Sequence, residues 1–259
     1  AFARYGGNSD VRGGGHFSGR LTAPLVFAGA LCRQILERRG VQIGAHILEM
    51  GRVRDESIDS AGIGKETLSK LTNMPFPLIN PVVEAAMREA VETARMDSDS
   101  IGGIVEAVAA GMPAGIGSPM FGGVENRLAA ALFGIPAVKG VEFGDGFALA
   151  GMRGSEANDP FVYADGQVCT ETNKCGGILG GITTGMPIIL RTAFKPTPSI
   201  TKEQCTVDLT SKKDAKISIN GRHDPCIVPR AVPVVESVMA IVLLDMLTER
   251  YGYDNGQPR

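Results

Sequence analysis

The sequence predicts an α+β fold in which helices are layered with sheets. Three observations carry that expectation. Residues 231–250 read as a helix that is apolar on every side: Val234, Val235, Val238, Met239, Ile241, Val242, Leu243, Leu244, Met246 and Leu247 fall on no single stripe, so the helix needs cover on more than one side. Segments 41–51, 100–111 and 186–194 read as strands, and helical patterns separate them. No composition shift and no repeat divides the 259 residues, a length one large domain can fill.

The elements follow in order. GRLTAPLVFAGALCRQILERRG (19–40) reads as a helix: Pro24 suits its first turn, Gly40 suits the position past its end, and Leu25 to Leu31 is apolar all round. VQIGAHILEMG (41–51) alternates as a strand does, with His46 inside the alternation as a structural histidine. In NPVVEAAMREAVETARMDS (80–98), Asn80 is the N-cap and Pro81 the first helical residue. Val83, Met87, Ala90, Val91 and Ala94 share one face and Glu84 pairs with Arg88 on the other, the pattern of a surface helix. SIGGIVEAVAAG (100–111) is a strand, GMPAGIGSPMF (111–121) is turn-rich, and NRLAAALFG (126–134) is a short helix. AVKGVEFGDGF (137–147), FVYA (161–164) and MPIILRTAF (186–194) read as strands, the last ended by KPTPS (195–199); CTVDLTS (205–211) and KISI (216–219) are weaker ones. Pro233 has no N–H and belongs in a first turn, which places the start of the last helix at about Ala231 or later.

Composition narrows the function. The formal charge is −2 with acids and bases mixed, and no basic block recurs with aromatics between, which argues against a nucleic-acid surface. An anionic small molecule stays open, because a few local arginines suffice. Cys32, Cys169, Cys175, Cys205 and Cys226 form no CxxC pair, so neither a zinc site, nor another metal, nor a disulfide framework is expected, and a reduced cytoplasmic setting fits. No signal peptide is visible, and Glu236 and Asp245 interrupt the apolar run 231–247, so no membrane span is expected. The chain opens at Ala1 without a Met, as a processed chain or a fragment does. The 34 glycines follow no Gly-X-Y period and point to many tight turns and close backbone approaches.

Four stretches carry candidate chemistry. In GRHDPCIVPRAVPVV (221–235), Asp224 lies at least six residues before the expected helix start, beyond the reach of an N-cap side chain, which leaves a turn role or chemistry. RGGGHFSGR (12–20) places an Arg, three glycines, Ser18 and Arg20 ahead of a helix, a pattern that suits an anion; it is neither a Walker A loop nor a dinucleotide fingerprint, and a flexible turn is the plain alternative. CGGILGGITTG (175–185) either packs flat against a planar ligand or is a tight β-turn region. KPTPS (195–199) offers Lys195 and two hydroxyls to a phosphate, or simply ends a strand.

Together, and in this order, RGGGHFSGR, GMPAGIGSPMF, AVKGVEFGDGF, RGS (153–155), GGILGGITTG, KPTPSI and GRHDPCIVPRAVPVVE resemble chorismate synthase, from about Tyr5 to about Leu247; RHDPC followed by PRAVPVVE is the most specific of them. The resemblance implies helices sandwiched between antiparallel sheets (a β-α-β sandwich), a homotetramer, and the conversion of 5-enolpyruvylshikimate 3-phosphate to chorismate in aromatic amino-acid biosynthesis. Phosphate and a ring proton leave from opposite faces, and reduced FMN is required although the net reaction is redox-neutral. Bifunctional members of the family reduce the flavin themselves with NADPH.

The resemblance also assigns residues. It implies that Asp224 is the acid–base group that works with the flavin N5, that Arg222 contacts flavin and substrate, and that Arg20 binds the substrate phosphate or carboxylate. It places His16, Phe17, Ser18, Pro136, Ala137, Gly180, Lys195, Pro196, Thr197, Pro198 and Ser199 at flavin-contacting positions, although the family often has Asn where this chain has Pro136. The family's GESHG and RPGHAD segments, each with a histidine implicated in catalysis, and arginines that help bind the substrate, are upstream of this sequence. His16, His46 and His223 are not expected to replace those histidines. The resemblance thus implies a single domain over 1–259 that lacks the family's N-terminal segment. Its alternative is a catalytically incomplete flavin- or anion-binding remnant, poorly active alone.

Overall fold

A computed structural model describes residues 1–8, 14–58, 63–164, 166–221 and 223–252. The element order is α1 (Phe2–Tyr5), α2 (Ala23–Arg38), β1 (Gln42–Met50), β2 (Val53–Arg54), α3 (Lys65–Thr72), α4 (Glu84–Met96), β3 (Gly103–Ala110), α5 (Val124–Phe133), β4 (Val138–Phe143), α6 (Gly154–Ala157), β5 (Phe161–Ala164), β6 (Gln167–Thr170), β7 (Ile178–Leu179), β8 (Ile182–Thr183), β9 (Ile188–Phe194), β10 (Gln204–Asp208), β11 (Lys213–Ile217) and α7 (Val228–Tyr251). Five strands form one sheet in the order β2-β1-β3-β9-β4, with every neighbouring pair antiparallel. Three two-stranded hairpins, β5–β6, β7–β8 and β10–β11, complete the antiparallel structure. The class is α+β, as the sequence predicts.

Strand alternation divides the sheet into two faces. Ile43, Ala45, Ile47, Val105, Ala107, Ala109, Ile188 and Leu190 belong to the main core, together with eleven α7 positions that include Val235, Met239 and Leu243. Helix α7 lies on β1 and β3 and is flanked by α2 and α5. Glycine lets α2 and α7 meet: a Cβ on Gly29 would stand 2.2 Å from the Cβ of Ser237. By length and composition α7 passes the test for a membrane span, but most of its apolar window is buried in this core.

The opposite face carries a second cluster in which Leu68 and Leu71 of α3 meet Val108, Ala110 and Ile189. A row of charges crosses the same face. His46 of β1 stands opposite Glu106 of β3, Glu106 opposite Arg191 of β9, and Arg191 opposite Glu142 of β4. His46 Nε2 is 2.9 Å from Glu106 Oε2, and Arg191 Nε donates to Glu106 Oε1 at 2.8 Å. His46 Nδ1 lies 3.3 Å from Asp55 Oδ2, an ion-pair distance without hydrogen-bond geometry. Burial pushes the His46 pKa down, but the Asp55 and Glu106 carboxylates outweigh it and hold the imidazole above its ordinary value. Burial likewise pushes Asp55 and Glu106 up, and their partners, His46 first, bring both below the ordinary carboxylate range. His46 is therefore a buried structural histidine, hydrogen-bonded through Nε2 and ion-paired through Nδ1.

The outer edge of β1 has only the two-residue β2 beside it. Ala45 N–H donates to Glu236 Oε1 at 2.9 Å, and Ile47 N–H donates to the Pro77 carbonyl at 3.0 Å. The buried carboxylate of α7 thus satisfies a backbone donor that an edge strand would leave bare. Arg33 of α2 and the Thr72 hydroxyl complete the Glu236 contacts.

Three expectations need correction. Helix α7 begins at Val228, not near Ala231; Pro229 occupies its first turn and Pro233 lies inside it. The rule about proline in a first turn holds, but it applies to Pro229. Tertiary packing around Val228, Val232 and Val235 carries the helix past Pro233. The strand expected over 137–147 ends at Phe143, because Gly144 and Gly146 take positive φ (56° and 52°) and turn the chain into a 3-10 segment at Gly146–Gly151. KISI is shifted: β11 covers Lys213–Ile217, paired with β10 from Gln204↔Ile217 to Asp208↔Lys213.

Candidate functional site

Three backbone segments meet at one end of the sheet. The first is the approach to α2. Ser18 caps a short 3-10 turn, Gly19–Thr22, by accepting the Arg20 N–H at 3.2 Å, and Thr22 Oγ1 donates to the Gly19 carbonyl at 2.6 Å. This turn presents Ser18 and Arg20 immediately before the helix N-terminus. The second segment joins the start of β4 to the end of β9, which pair through Val138↔Phe194. Ala137 holds φ at 74°, unusual for a residue with a Cβ, and its carbonyl accepts the Lys195 N–H at 2.9 Å. The third is the loop into α7, pinned where the Ile101 N–H donates to the Pro225 carbonyl at 2.8 Å.

These segments border a half-open cavity of about 860 Å³, within the range of small-molecule and cofactor sites. Its wall includes Ser18, Arg20, Thr22, Pro136, Thr197, His223, Asp224 and Arg230, with apolar cover from Ile135, Phe194, Ile227, Ala231 and Val234. Asp224 is the only carboxylate among the described lining residues, and its Oδ2 lies 2.9 Å from Arg230 Nη1. The residues leading into α2 and those opening α7 share this wall, so the positive ends of two helix dipoles face it and favour a negative ligand. Thr197 Oγ1 is buried with no hydrogen-bond partner, although the Thr197 carbonyl accepts from Ser100 Oγ at 2.7 Å. Thr192 Oγ1, inside the sheet, is likewise buried without a partner.

Sequence comparison decides the family. The sequence model of chorismate synthase matches residues 1–248. The chain belongs to the chorismate synthase family. The chorismate synthase of Pyrococcus abyssi is 53% identical over 249 residues, 95% of this chain and 67% of the relative; that of Thermococcus kodakarensis is 51% identical over 251 residues, 97% of this chain and 68% of the relative. A crystal structure of chorismate synthase superposes with a TM-score of 0.75 at 30% identity, covering 92% of this chain and 66% of that one. The chain thus spans about two thirds of the length of these relatives. Family membership makes it a chorismate synthase-type lyase of aromatic amino-acid biosynthesis, with a small molecule as substrate.

Of the positions that chorismate synthase motifs single out, the structure brings Ser18, Arg20, Pro136, Thr197 and Asp224 to one cavity. His16 and Phe17 sit beside Ser18 but are exposed and outside the wall; Ala137 neighbours Pro136 without lining the cavity. Lys195, Pro196, Pro198 and Ser199 flank Thr197 in the same loop, again outside the wall. Gly180 is at the tip of the β7–β8 hairpin with φ 59° and open space where a Cβ would point; that hairpin packs on Ser118 and Gly123. Arg222 lies outside the described residues.

The motif reading missed Arg230 and the apolar cover from Ile227, Ala231 and Val234. Placing the helix start too late hid them, since a helix beginning at Val228 puts 230, 231 and 234 on neighbouring faces of its first turns. Asp224 is still not the cap of α7, because the N-cap is Ile227 and no side chain caps it.

Proposed function

We propose that this chain makes chorismate by anti-elimination of phosphate and a ring proton from 5-enolpyruvylshikimate 3-phosphate, and that the cavity between α2, the β4/β9 end and α7 holds substrate and flavin. What supports the reading most directly is one juxtaposition: Arg20, Asp224 and Thr197 line the same cavity. Arg20 supplies a fixed guanidinium for the substrate's phosphate or carboxylate, where a planar fork binds in two-point fashion. The helix N-termini add favourable field for the same anion. Asp224, the only carboxylate in the described wall, would be the acid–base group that works with the flavin N5 in removing the ring proton, which requires it within hydrogen-bond reach of that nitrogen. Phe194, Ile135, Ile227, Ala231 and Val234 exclude water from the departing phosphate.

The residues present fit reduced FMN. Ser18, Arg20 and Thr197 offer polar and cationic groups to a phosphate-bearing cofactor in one wall, and the volume suffices. When bound, reduced FMN supplies the electron-rich ring against which phosphate departs with no net redox change. Lys195, Ser199 and the backbone around Ala137 would hold its polar edge, and Arg222 would contact both flavin and substrate. The reading carries with it a homotetramer in the cytoplasm. The outer side of α2, where Phe27 (72% exposed), Leu31 and Ile35 face solvent, supports a chain that presents apolar surface to further protein. Light scattering is expected to return a tetramer.

A second reading keeps the binding and drops the turnover. It is favoured by the histidines: His46 is committed to the sheet, His16 is exposed, and His223 is the one histidine that lines the cavity. An anaerobic assay with dithionite-reduced FMN and 5-enolpyruvylshikimate 3-phosphate, with the flavin spectrum recorded throughout, separates the two. Chorismate supports the first reading. A substrate-dependent flavin change without chorismate supports the second, and neither signal refutes both.

A further inference from the structure

Arg230 holds no role in the reading above, yet it forms the ion pair of the cavity wall. Its Nη1 stands 2.9 Å from Asp224 Oδ2, the ion pair of that carboxylate among the described residues. The loop backbone is tied down one residue further on, at Pro225, so the Asp224 side chain itself would otherwise be free to choose among rotamers. Arg230 comes from the first turn of α7, whose following residues pack into the core, so its backbone is fixed. The Arg230 side chain is 76% exposed and that of Asp224 39%. An ion pair this open to water adds little to stability, so stability does not account for it. What the pair does is bring one oxygen of a cavity-lining carboxylate beside a cation on the helix that forms the rest of the wall.

We propose that Arg230 is a positioning residue for the elimination, holding the Asp224 carboxylate in the orientation its acid–base role needs. The inference deepens the proposed function and rests on it. A misplacement of about 1 Å in a reacting group costs on the order of 100-fold in rate. Arg230→Gln is therefore expected to lower kcat by about 10- to 100-fold and to leave KM within about threefold. Arg230→Lys restores the charge without the planar fork and recovers part of that loss. The deciding comparison is a double-mutant cycle. If Arg230 acts through Asp224, adding Arg230→Gln to Asp224→Asn costs nothing further.

Two measurements on the 259-residue chain test this. In protein labelled with 15N-arginine, the Arg230 guanidinium resonance is expected to move toward its solvent position in Asp224→Asn; an unmoved resonance overturns the pairing whatever the turnover. In the anaerobic assay, wild-type kcat for Arg230→Gln, or losses that add in the double variant, overturns the positioning role. A wild-type chain that makes no chorismate refutes the proposed function and the kinetic role of Arg230 together. The guanidinium resonance then still reports the pair, so the two failures are distinguishable.

Discussion

Thr197 shows how a single atom separates stability from binding. Its Oγ1 is buried and unpaired, so in the free chain it carries a desolvation cost with no return. Thr197→Val keeps the shape and removes the hydroxyl. The thermal midpoint is expected to hold or rise slightly, while flavin affinity falls by about 5- to 10-fold, the size of one neutral hydrogen bond. A calorimetric scan beside a reduced-flavin titration reads both; a parallel fall in the two would mean that the hydroxyl serves the fold. At this scale the sequence revealed much of the site. Ser18, Arg20, Thr197 and Asp224 belong to motifs with recognisable chemistry, and all four reach the cavity. Arg230 was not legible, because its significance lies in a 2.9 Å approach across a loop whose path only the folded backbone fixes.

At the level of elements, the contact between α2 and α7 governs the cavity. Both helices send their leading residues into its wall, and they touch where Gly29 faces Ser237. Gly29→Ala places a methyl group 2.2 Å from the Ser237 Cβ, so one helix must shift. The expected cost is about 1–3 kcal/mol of stability, together with weaker flavin binding, since Ser18 and Arg20 travel with α2. Chemical denaturation and flavin titration check this; an unchanged dissociation constant would show that the wall is independent of the crossing. The helices themselves were legible from Pro24, Gly40, Asn80 and their apolar spacing. The starts of α7 and β11 were not, because core packing overrode the local rules: the helix continues through Pro233, and β11 takes its register from pairing with β10.

For the whole molecule, the buried Asp55–His46–Glu106 trio sets a pH window. The raised His46 pKa contributes stability that is complete below the unfolded imidazole value and is lost as pH rises through the folded one. The depressed Asp55 and Glu106 values contribute stability that is present above the ordinary carboxylate range and lost as pH falls through their folded values. Urea midpoints should therefore peak between the two ranges, about pH 5–6, and decline on both sides. His46→Gln should abolish much of the alkaline decline and destabilise the chain by about 3–5 kcal/mol, because it leaves buried carboxylates without their cation. A midpoint that rises steadily to pH 9 would contradict the assignment. The sequence showed His46 inside a strand, but its partners come from residues 55 and 106, and only the sheet order β1-β3-β9-β4 aligns the row.

That row has a consequence for how the sheet assembles. Each of four adjacent strands contributes one ionisable side chain to it, alternating in sign from His46 to Glu142. A two-residue slip of β9 against β3 would set Arg191 beside Val108 or Ile104, stranding a cation and a carboxylate in apolar surroundings. Misaligned pairings are thus penalised relative to the native register. The charges act as a key that fits one alignment of the four strands.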